Sequence, residues 1–241
     1  MVLEVRHVKK SFNGRAVLDD INFSVDSGEC VGIVGRSGCG KSTLAKIIAR
    51  LINYDSGEIF IDGELQMIFQ TPEDSFNPRK TLGWSIAEPL RSVKSDKLSV
   101  VSDLLEKVGL PADYAKKYPH EVSGGECQRA AIARAISVNP KILICDEATS
   151  ALDVTIQAQI INLLKKLCRE KNIACLFITH DLNLLPKIAD RVIVLHGGKI
   201  VEENSTAEIF KAPKSPFTQE LLSADLFFQN LQSLPIFFNA R

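Results

Sequence analysis

The stretch that decides the fold is Cys30-Val-Gly-Ile-Val34 followed by Gly35-Arg-Ser-Gly-Cys-Gly-Lys-Ser-Thr43. The apolar run is typical of a buried strand, and the glycines after it have the spacing of a phosphate-binding loop, Gly-x-x-x-x-Gly-Lys-[Ser/Thr]. Glycine allows the backbone to curl so that successive N–H groups point into one hollow. The pattern predicts a strand, a loop that binds phosphate, and a helix whose positive end faces the phosphates.

Every residue of this loop is a candidate for nucleotide binding. These residues are Gly35, Arg36, Ser37, Gly38, Cys39, Gly40, Lys41, Ser42 and Thr43. Lys41 would place a positive charge against the β- and γ-phosphate oxygens, and Ser42 would offer its hydroxyl to Mg²⁺. An ordinary glycine-rich turn is the alternative. The strand before the loop, the Lys-Ser-Thr within it and the helix after it favour nucleotide binding.

Two acids follow a second buried run, Ile142-Leu-Ile-Cys-Asp146-Glu147. Because parallel strands present functional groups at their carboxyl ends, we expect these acids to lie beside the phosphate loop. Asp146 is then placed to hold Mg²⁺ through water, and Glu147 to accept a proton from an attacking water. Two acids at the end of a strand are by themselves more often an ordinary strand end, and it is the loop that favours a catalytic role.

A second segment suited to bind phosphate is Val122-Ser-Gly-Gly-Glu-Cys-Gln-Arg129, directly before a predicted helix. Ser123, with Gly124 and Gly125, would form another anion-binding helix start, here without a lysine. A monomer does not need two phosphate sites of different design for one nucleotide. The simplest arrangement is therefore a pair of subunits that share each nucleotide.

Together these motifs resemble those of the ABC family of ATPases, and the resemblance covers about residues 2–224. Ser123-Gly-Gly-Glu126 lies between the two nucleotide motifs, where the family carries its signature. The same resemblance identifies Gln70 as the Q-loop glutamine and Ser150-Ala-Leu-Asp153 as the D-loop. It identifies His180 as the switch histidine, although a lone histidine after a strand is otherwise more often a surface or core residue.

The resemblance implies an ATPase that works as a head-to-tail pair, with ATP and Mg²⁺ as cofactors. Each ATP would lie between Gly35–Thr43 of one subunit and Ser123–Glu126 of the other. The residues with a catalytic role would be Lys41, Gln70, Glu147 and His180, and those around Mg²⁺ would be Ser42, Gln70 and Asp146. Phe12 would stack on adenine, with core packing as the alternative role of its ring.

The predicted fold class is α/β: a P-loop NTPase core with a mostly parallel sheet, an antiparallel β subdomain and an inserted helical subdomain at about 74–137. The nucleotide-binding domain would span 1–224, and 225–241 would form a C-terminal tail. The predicted strands are two within Val2–Val25, joined at Asn13–Gly14, and then Cys30–Val34, Glu58–Ile61, Leu65–Phe69, Lys141–Cys145, Ile173–Thr179 and Arg191–Leu195. The predicted helices are Ser42–Leu51, with Leu51 on its apolar face, Leu98–Val108, Gln128–Ser137 and Ile156–Lys171.

Two further segments, Phe69–Thr81 and Thr206–Leu222, are similar to those of oligopeptide, dipeptide and nickel importer ATPases. The implied function is to power uptake of peptides, nickel or metal chelates through a membrane permease. Val122 and Glu126 stand where leucine and glutamine are commoner, and the charge of Glu126 is expected to weaken affinity for the shared nucleotide. The cysteine-rich extension of some peptide-importer subunits is absent, which favours a nickel-type or metallophore-type subunit.

The chain has 241 residues, with 29 Lys plus Arg and 29 Asp plus Glu, so its neutral balance gives no reason to expect nucleic acid as a partner. No apolar run has the roughly 18–20 residues of a membrane-spanning helix, and the first residues do not read as a secretory signal. We therefore expect a peripheral protein at the cytoplasmic face of the cell membrane, attached to integral-membrane permease subunits. The resemblance also implies a second ABC ATPase subunit. The two ATPase chains would form a heterodimer in the transporter, and a homodimer of this chain is possible in isolation. An extracellular solute-binding protein would be an indirect partner.

Six cysteines without a Cys-x-x-Cys pair predict reduced thiols rather than disulfides or a zinc site. Cys39 and Cys127 lie in the two phosphate-binding motifs, where tolerance of small residues is favoured over redox sensing.

The Phe-rich tail contains Leu226-Phe-Phe228 and Ile236-Phe-Phe238. There, a helix docked on its own domain is favoured over a surface that binds a partner. The alternative functions are an ABC-type ATPase of a soluble non-transport complex and a binding module without hydrolysis, which Glu147 and His180 argue against.

Overall fold

The computed structural model describes residues 1–90 and 97–232, with side chains through residue 224. The strands are β1 Leu3–Phe12, β2 Arg15–Val25, β3 Cys30–Val34, β4 Ser56–Ile61, β5 Leu65–Ile68, β6 Ile142–Asp146, β7 Ala174–Ile178, β8 Arg191–His196 and β9 Lys199–Ser205. The helices are α1 Lys41–Ile48, α2 Leu82–Ala87, α3 Lys97–Lys107, α4 Gly124–Ile136, α5 Val154–Lys171, α6 Leu185–Ile188, α7 Thr206–Lys211 and α8 Pro216–Gln232. This mixture confirms the predicted α/β class.

The larger sheet places three functional loops at one edge. Its strand order is β5-β6-β7-β3-β8-β9, parallel from β5 to β8, with β9 antiparallel at the end. Ile178 of β7 lies in register with Asp146 on one side and Ile33 on the other. The segments that follow β3, β6 and β7 therefore leave the sheet side by side, as the rule for the carboxyl ends of parallel strands predicts.

The smaller sheet is antiparallel, in the order β2-β1-β4. Its inward residues Leu3, Val5 and Ile21 belong to the same buried cluster as Leu44 and Ile48 of α1. The opposite face of the larger sheet is covered by α4, α5 and the residues around them. Burial on both faces explains why β3, β6 and β7 are apolar along their whole length rather than alternating.

Helix α1 ends earlier than the apolar spacing predicts, and Leu51 does not lie on its buried face. Arg50 adopts a left-handed backbone with φ 58°, and the amides of Arg50 and Leu51 donate to the carbonyls of Ile47 and Lys46. These are the two hydrogen bonds of a Schellman helix end, here without the usual glycine. Leu51 is consequently 56% exposed.

The predicted helical subdomain is confirmed as a strand-free region in its described part, from Glu73 to Ile136. It holds α2, α3 and α4 with four short 3₁₀ segments, Glu73–Ser75, Glu88–Leu90, Ala112–Lys116 and Pro119–Glu121. The predicted start of its last helix at Gln128 is wrong, because α4 begins at Gly124. Ser123 caps this helix, so the glycines after it form its first turn rather than a preceding loop.

The C-terminal part adds β9 and α7, which the apolar pattern did not predict, and α8, which includes part of the tail that was expected to form a helix. Helix α8 runs without interruption across the predicted boundary between residues 224 and 225. Of the Phe-rich tail, residues 226–228 lie on α8, and residues 236–238 lie outside the described residues. Over residues 1–90 and 97–232, the structure has no helix with the length and apolar character needed to cross a bilayer.

Candidate functional site

The phosphate loop joins β3 to α1 and passes close to two neighbouring strands. A Cβ at Gly35, where φ is 154°, would lie 2.1 Å from the carbonyl oxygen of Leu195 at the end of β8. At Gly40, where φ is 107°, it would lie 2.7 Å from Leu18 Cδ2 on β2. Both positions therefore require glycine, for backbone conformation and for space. The loop is held in its curl by contacts on both sides.

Lys41 is 6% exposed and its ammonium folds back along the loop. Its Nζ donates to the carbonyl oxygens of Gly35 at 2.8 Å and Arg36 at 3.2 Å. A buried ammonium needs such acceptors, because burying a charge without them is costly. The charge predicted to face the phosphates is thus kept at the loop by the loop's own backbone.

A cavity of about 400 Å³ opens at this loop. It is lined by Val17, Ser37, Gly38, Gly40, Lys41, Ser42, Thr43, Glu147 and His180. A second cavity, of about 370 Å³, is lined by Ser42, Lys46, Phe69, Gln70, Thr71, Asp74, Ser75 and Asp146. Ser42 lies on both. The structure thus brings six of the predicted site residues around two adjoining spaces: Lys41, Ser42, Gln70, Asp146, Glu147 and His180.

Asp146 is a buried carboxylate whose oxygen is engaged by the phosphate loop. It is 8% exposed, and Ser42 Oγ donates to its Oδ1 at 3.0 Å. The pKa of Asp146 is raised, mainly because the carboxylate is buried and also because the charge of Glu147 lies nearby. The hydrogen bond from Ser42 opposes these effects but does not cancel them. A carboxylate that burial disfavours gains from a cation beside it. Hydroxyl, carboxylate and amide oxygens are also the ligands that Mg²⁺ prefers, so Ser42, Asp146 and Gln70 fit that ion.

Glu147 and His180 approach each other across the first cavity. The Nδ1 of His180 lies 3.4 Å from Oε1 of Glu147, with side chains 61% and 20% exposed respectively. Glu147 has a left-handed backbone, φ 50°, and its amide donates to Ile178 at the end of β7. This conformation turns the residue out of the strand line and toward the cavity. Such an acid and histidine can together orient a water above the loop.

Four predicted nucleotide-binding positions, Phe12, Gly35, Arg36 and Cys39, are not among the residues that line the first cavity. The ring of Phe12 is 46% exposed at the end of β1, with Lys10 Nζ 5.1 Å from its centroid. The guanidinium of Arg36 instead pairs with Glu220 on α8. Sequence reasoning missed Val17, which lines the cavity from β2 and carries no local motif that could have marked it.

The predicted signature residues form a capped helix start away from this cavity. The carboxylate of Glu126 accepts from the Ser123 amide at 2.8 Å and from the Tyr114 hydroxyl at 2.6 Å, and the Glu126 amide donates to Ser123 Oγ at 3.4 Å. The Tyr114 and Ser123 hydrogen bonds hold the pKa of Glu126 below its usual range. Ser123–Glu126 lines neither of the two cavities around Ser42, so the described residues of one chain do not bring both phosphate-binding segments to one space.

The predicted D-loop connects these regions. Asp153 caps α5, accepting from the amides of Thr155 and Ile156 at 3.0 Å each. Ser150 Oγ donates to the carbonyl oxygen of Glu147 at 3.0 Å. A Cβ on Gly125 would lie 2.6 Å from Ile156 Cγ2, so the start of α4 packs directly on the start of α5. The D-loop therefore contacts Glu147 through Ser150, and its last residue, Asp153, caps the helix against which Gly125 packs.

The six cysteines are all buried and none is in a disulfide. Cys127 is 0% exposed, and burial raises the pKa of its thiol to about 12. A buried thiol that stays protonated at neutral pH favours a small core residue over redox sensing at that position. Cys39 lies in the loop, with its Sγ 3.9 Å from Lys41 Nζ.

Comparison with known proteins agrees with this geometry. The chain matches the family model described as ABC transporter over residues 18–150. It is 43% identical to the oligopeptide transport ATP-binding protein OppF of Bacillus subtilis (strain 168), over 92% of this chain and 82% of that protein. The OppF protein of Salmonella typhimurium is 42% identical, over 86% of this chain and 68% of its own length.

A solved structure shares the fold. It is a dimeric post-hydrolysis state of the ATP-binding cassette MJ0796 bound to ADP and Pi, with a TM-score of 0.77 and 29% identity. The match covers 85% of this chain and 98% of that one. The phosphate loop, the acids that end β6 and the relatives in sequence and fold lead to one conclusion: the chain belongs to the ABC transporter family and is an ATP-binding, ATP-hydrolysing member of it.

Proposed function

We propose that this chain powers the uptake of peptides through a membrane permease, as one of the two ATPase subunits of an importer. The observation that carries the proposal is the 43% identity to an oligopeptide transport ATP-binding protein over 92% of this chain. Two sequence segments, Phe69–Thr81 and Thr206–Leu222, point the same way. The names of the relatives favour peptides over nickel or metal chelates as the solute.

In the proposed site, the amides of the phosphate loop and the ammonium of Lys41 bind the phosphates of ATP. Lys41 is already held at the loop by two carbonyl oxygens, and a phosphate would replace neutral acceptors with a charged one. The equivalent of Ser123–Glu126 in a second ATPase subunit would close over the same nucleotide. That arrangement would use both phosphate-binding segments, which in one chain do not border the same cavity.

Ser42, Asp146 and Gln70 would hold Mg²⁺, which when bound neutralises charge on the phosphate oxygens. Ser42 Oγ and Asp146 Oδ1 are 3.0 Å apart and both groups border the second cavity with Gln70. The hydroxyl would turn its lone pair toward the ion instead of donating to the carboxylate. The raised pKa of Asp146 reflects a buried carboxylate whose charge a cation would offset.

For hydrolysis, Glu147 would take a proton from the attacking water and His180 would contact the γ-phosphate. In this structure the Glu147 carboxylate lies 3.4 Å from the His180 ring, measured from Oε1 to Nδ1. Arrival of nucleotide would draw His180 to the phosphate and leave Glu147 free to orient the water. Glu147 would then deprotonate water only when nucleotide is bound and His180 contacts the γ-phosphate. ATP hydrolysis would thereby be coupled to assembly of the site.

The proposed assembly has integral-membrane permease subunits, a second ATPase subunit and, outside the membrane, a solute-binding protein that delivers the peptide. The chain would sit on the cytoplasmic face as a peripheral subunit. The second ATPase subunit would be a different chain in the transporter, with a homodimer formed in isolation. The competing function is an ATPase of a soluble complex.

The test is capture of the tagged chain from detergent-solubilised membranes and from the soluble fraction of its native cells. Two polytopic membrane proteins, a second ATPase and a peptide-binding protein among the captured partners would support the proposal. A peptide-uptake assay in cells that carry Glu147→Gln should show the loss of uptake. Capture of soluble enzymes alone, with normal peptide uptake in the variant, would overturn it.

A further inference from the structure

The C-terminal helix α8 starts beside the phosphate loop, with Phe217 of the helix near Arg36 of the loop. The two residues directly before this helix are held to β9 by Glu202, whose carboxylate accepts from the amides of Lys214 at 2.8 Å and Ser215 at 2.9 Å. A carboxylate beside the N-terminus of a helix also matches the helix dipole. The start of α8 is thus set by the edge of the larger sheet.

From that start, α8 presents a ring and a carboxylate to the phosphate loop. Phe217 is 9% exposed, and its ring stacks on His196 with centroids 3.8 Å apart and planes inclined by 26°. The guanidinium carbon of Arg36 lies 5.7 Å from the centroid of the same ring. Glu220, one turn further on the same face, accepts from Arg36 Nη2 at 2.7 Å. Arg36 is therefore engaged by α8 in two ways.

These contacts reach the group that faces the phosphates. The carbonyl oxygen of Arg36 accepts from Lys41 Nζ at 3.2 Å, so the position of Arg36 influences the position of the ammonium. On its other side the loop abuts the end of β8, where a Cβ on Gly35 would meet the Leu195 carbonyl. His196, the next residue, is the one that stacks on Phe217. The loop, the end of β8 and the start of α8 form one packed unit.

We propose that Glu220 is a positioning residue for the phosphate loop. By holding the Arg36 side chain outward, away from the cavity, it keeps the loop in the conformation that receives the phosphates. The benefit is preorganisation, because a loop that is already ordered loses less entropy when nucleotide binds. The inference rests on ATP binding by the chain, and peptide uptake does not enter it.

The size of the effect follows from exposure. The side chains of Arg36 and Glu220 are 56% and 60% exposed, and ion pairs in such places are weak and sensitive to salt. We expect Glu220→Gln to raise the Kd for ATP and the KM of hydrolysis about two- to fivefold, with kcat at saturation nearly unchanged. At about 1 M salt the Debye length is roughly 3 Å, so the ion pair is screened. The Kd values for ATP of the wild-type protein and the variant should then converge.

The experiment measures equilibrium ATP binding and steady-state hydrolysis for wild type, Glu220→Gln, Arg36→Gln and the double variant. Glu208→Gln on α7 is the matched control, since it removes an exposed carboxylate that, among the described residues, has no hydrogen bond or ion pair with the phosphate loop. If Glu220 acts through Arg36, the double variant should bind ATP no more weakly than Arg36→Gln alone. Additive losses, a Kd for Glu220→Gln equal to wild type, or a change matched by Glu208→Gln would overturn the proposal. Wild-type binding of ATP separates this result from any failure of the importer assignment.

Discussion

Ser42 Oγ and Asp146 Oδ1 are 3.0 Å apart, although 104 residues separate them in the chain. The contact exists because β3 and β6 both run parallel to β7 and end at the same edge of the sheet. It joins the first residues of α1 to the acid that ends β6. Two cavities meet at Ser42, so the loop and the acids form one continuous site.

Replacing Asp146 with asparagine should separate stability from activity. Burial raises the pKa of Asp146, so at neutral pH its charge opposes folding. Asp146→Asn removes that charge and keeps an acceptor for Ser42, and the nucleotide-free protein should therefore be more stable at pH 7. Hydrolysis should fall by at least about 100-fold, because metal-assisted charge stabilisation is worth several kcal/mol. Denaturant unfolding and ATPase assays measure the two effects.

The pH dependence of that stability difference has a fixed sign. A carboxyl group with a raised pKa in the folded state binds more protons when folded, so its penalty develops as pH rises from the unfolded pKa through the folded one. The advantage of Asp146→Asn should thus be present at pH 7 and shrink as pH falls toward 4. An advantage that grows on acidification would show that burial does not control this carboxyl group.

Much of the core of the site could be predicted, because it depends on short patterns with fixed local geometry. The phosphate loop needs its glycines in sequence, and the acids of β6 follow a run whose burial its composition already indicates. What joins them is the parallel sheet, which alternating strands and helices predict. The sequence patterns therefore predict that Ser42, Asp146 and Glu147 lie together, and the family resemblance adds His180 to them.

The features that could not be predicted depend on contacts between distant residues or on backbone conformations without a sequence marker. The left-handed Arg50 ends α1 where glycine would be expected, which exposes Leu51. Strand β9 is half-polar because it lies at an edge of the sheet. The pairing of Arg36 with Glu220 joins residues 184 apart. Propensity and periodicity carry no information about such pairs.

Glu147→Gln should preserve ATP binding and nearly abolish hydrolysis. Glutamine has the shape to contact His180 and water but cannot accept the proton, and a general base contributes about 10²- to 10⁴-fold. ATP binding and phosphate release should be measured on the same preparation. Glu170→Gln, an exposed carboxylate on α5, serves as the matched control. Hydrolysis within about threefold of wild type would remove Glu147 from the role of base.

Glu126→Gln tests the unusual acid at the signature. Its carboxylate engages both Ser123 and Tyr114, and glutamine offers one oxygen where glutamate offers two. We expect a loss of about 0.5–1 kcal/mol in unfolding free energy, small because the site is partly exposed. The lowered pKa means that this contribution to stability is present above the usual glutamate pKa range and lost as pH falls through the folded pKa.

In the assembled pair of ATPase subunits, Glu126→Gln should also lower the KM for ATP about two- to fivefold, because it removes a negative charge near the shared nucleotide. A KM that rises instead would show that the carboxylate helps to bind nucleotide.

Gly125→Ala should destabilise the contact between α4 and α5, whereas Gly124→Ala should not. A Cβ at Gly125 would lie 2.6 Å from Ile156 Cγ2, but at Gly124 the nearest atom, Leu152 Cδ2, would be 3.7 Å away. Overpacking of this kind costs about 1–3 kcal/mol, and the Gly124 substitution should stay within about 0.5 kcal/mol or gain from helix propensity. Ile156→Ala removes the clashing methyl, so it should recover part of the loss when combined with Gly125→Ala. Unfolding of all four variants measures this. Equal losses at the two glycines would instead attribute the effect to the backbone of the α4 start, since both residues share that first turn while only Gly125 faces Ile156.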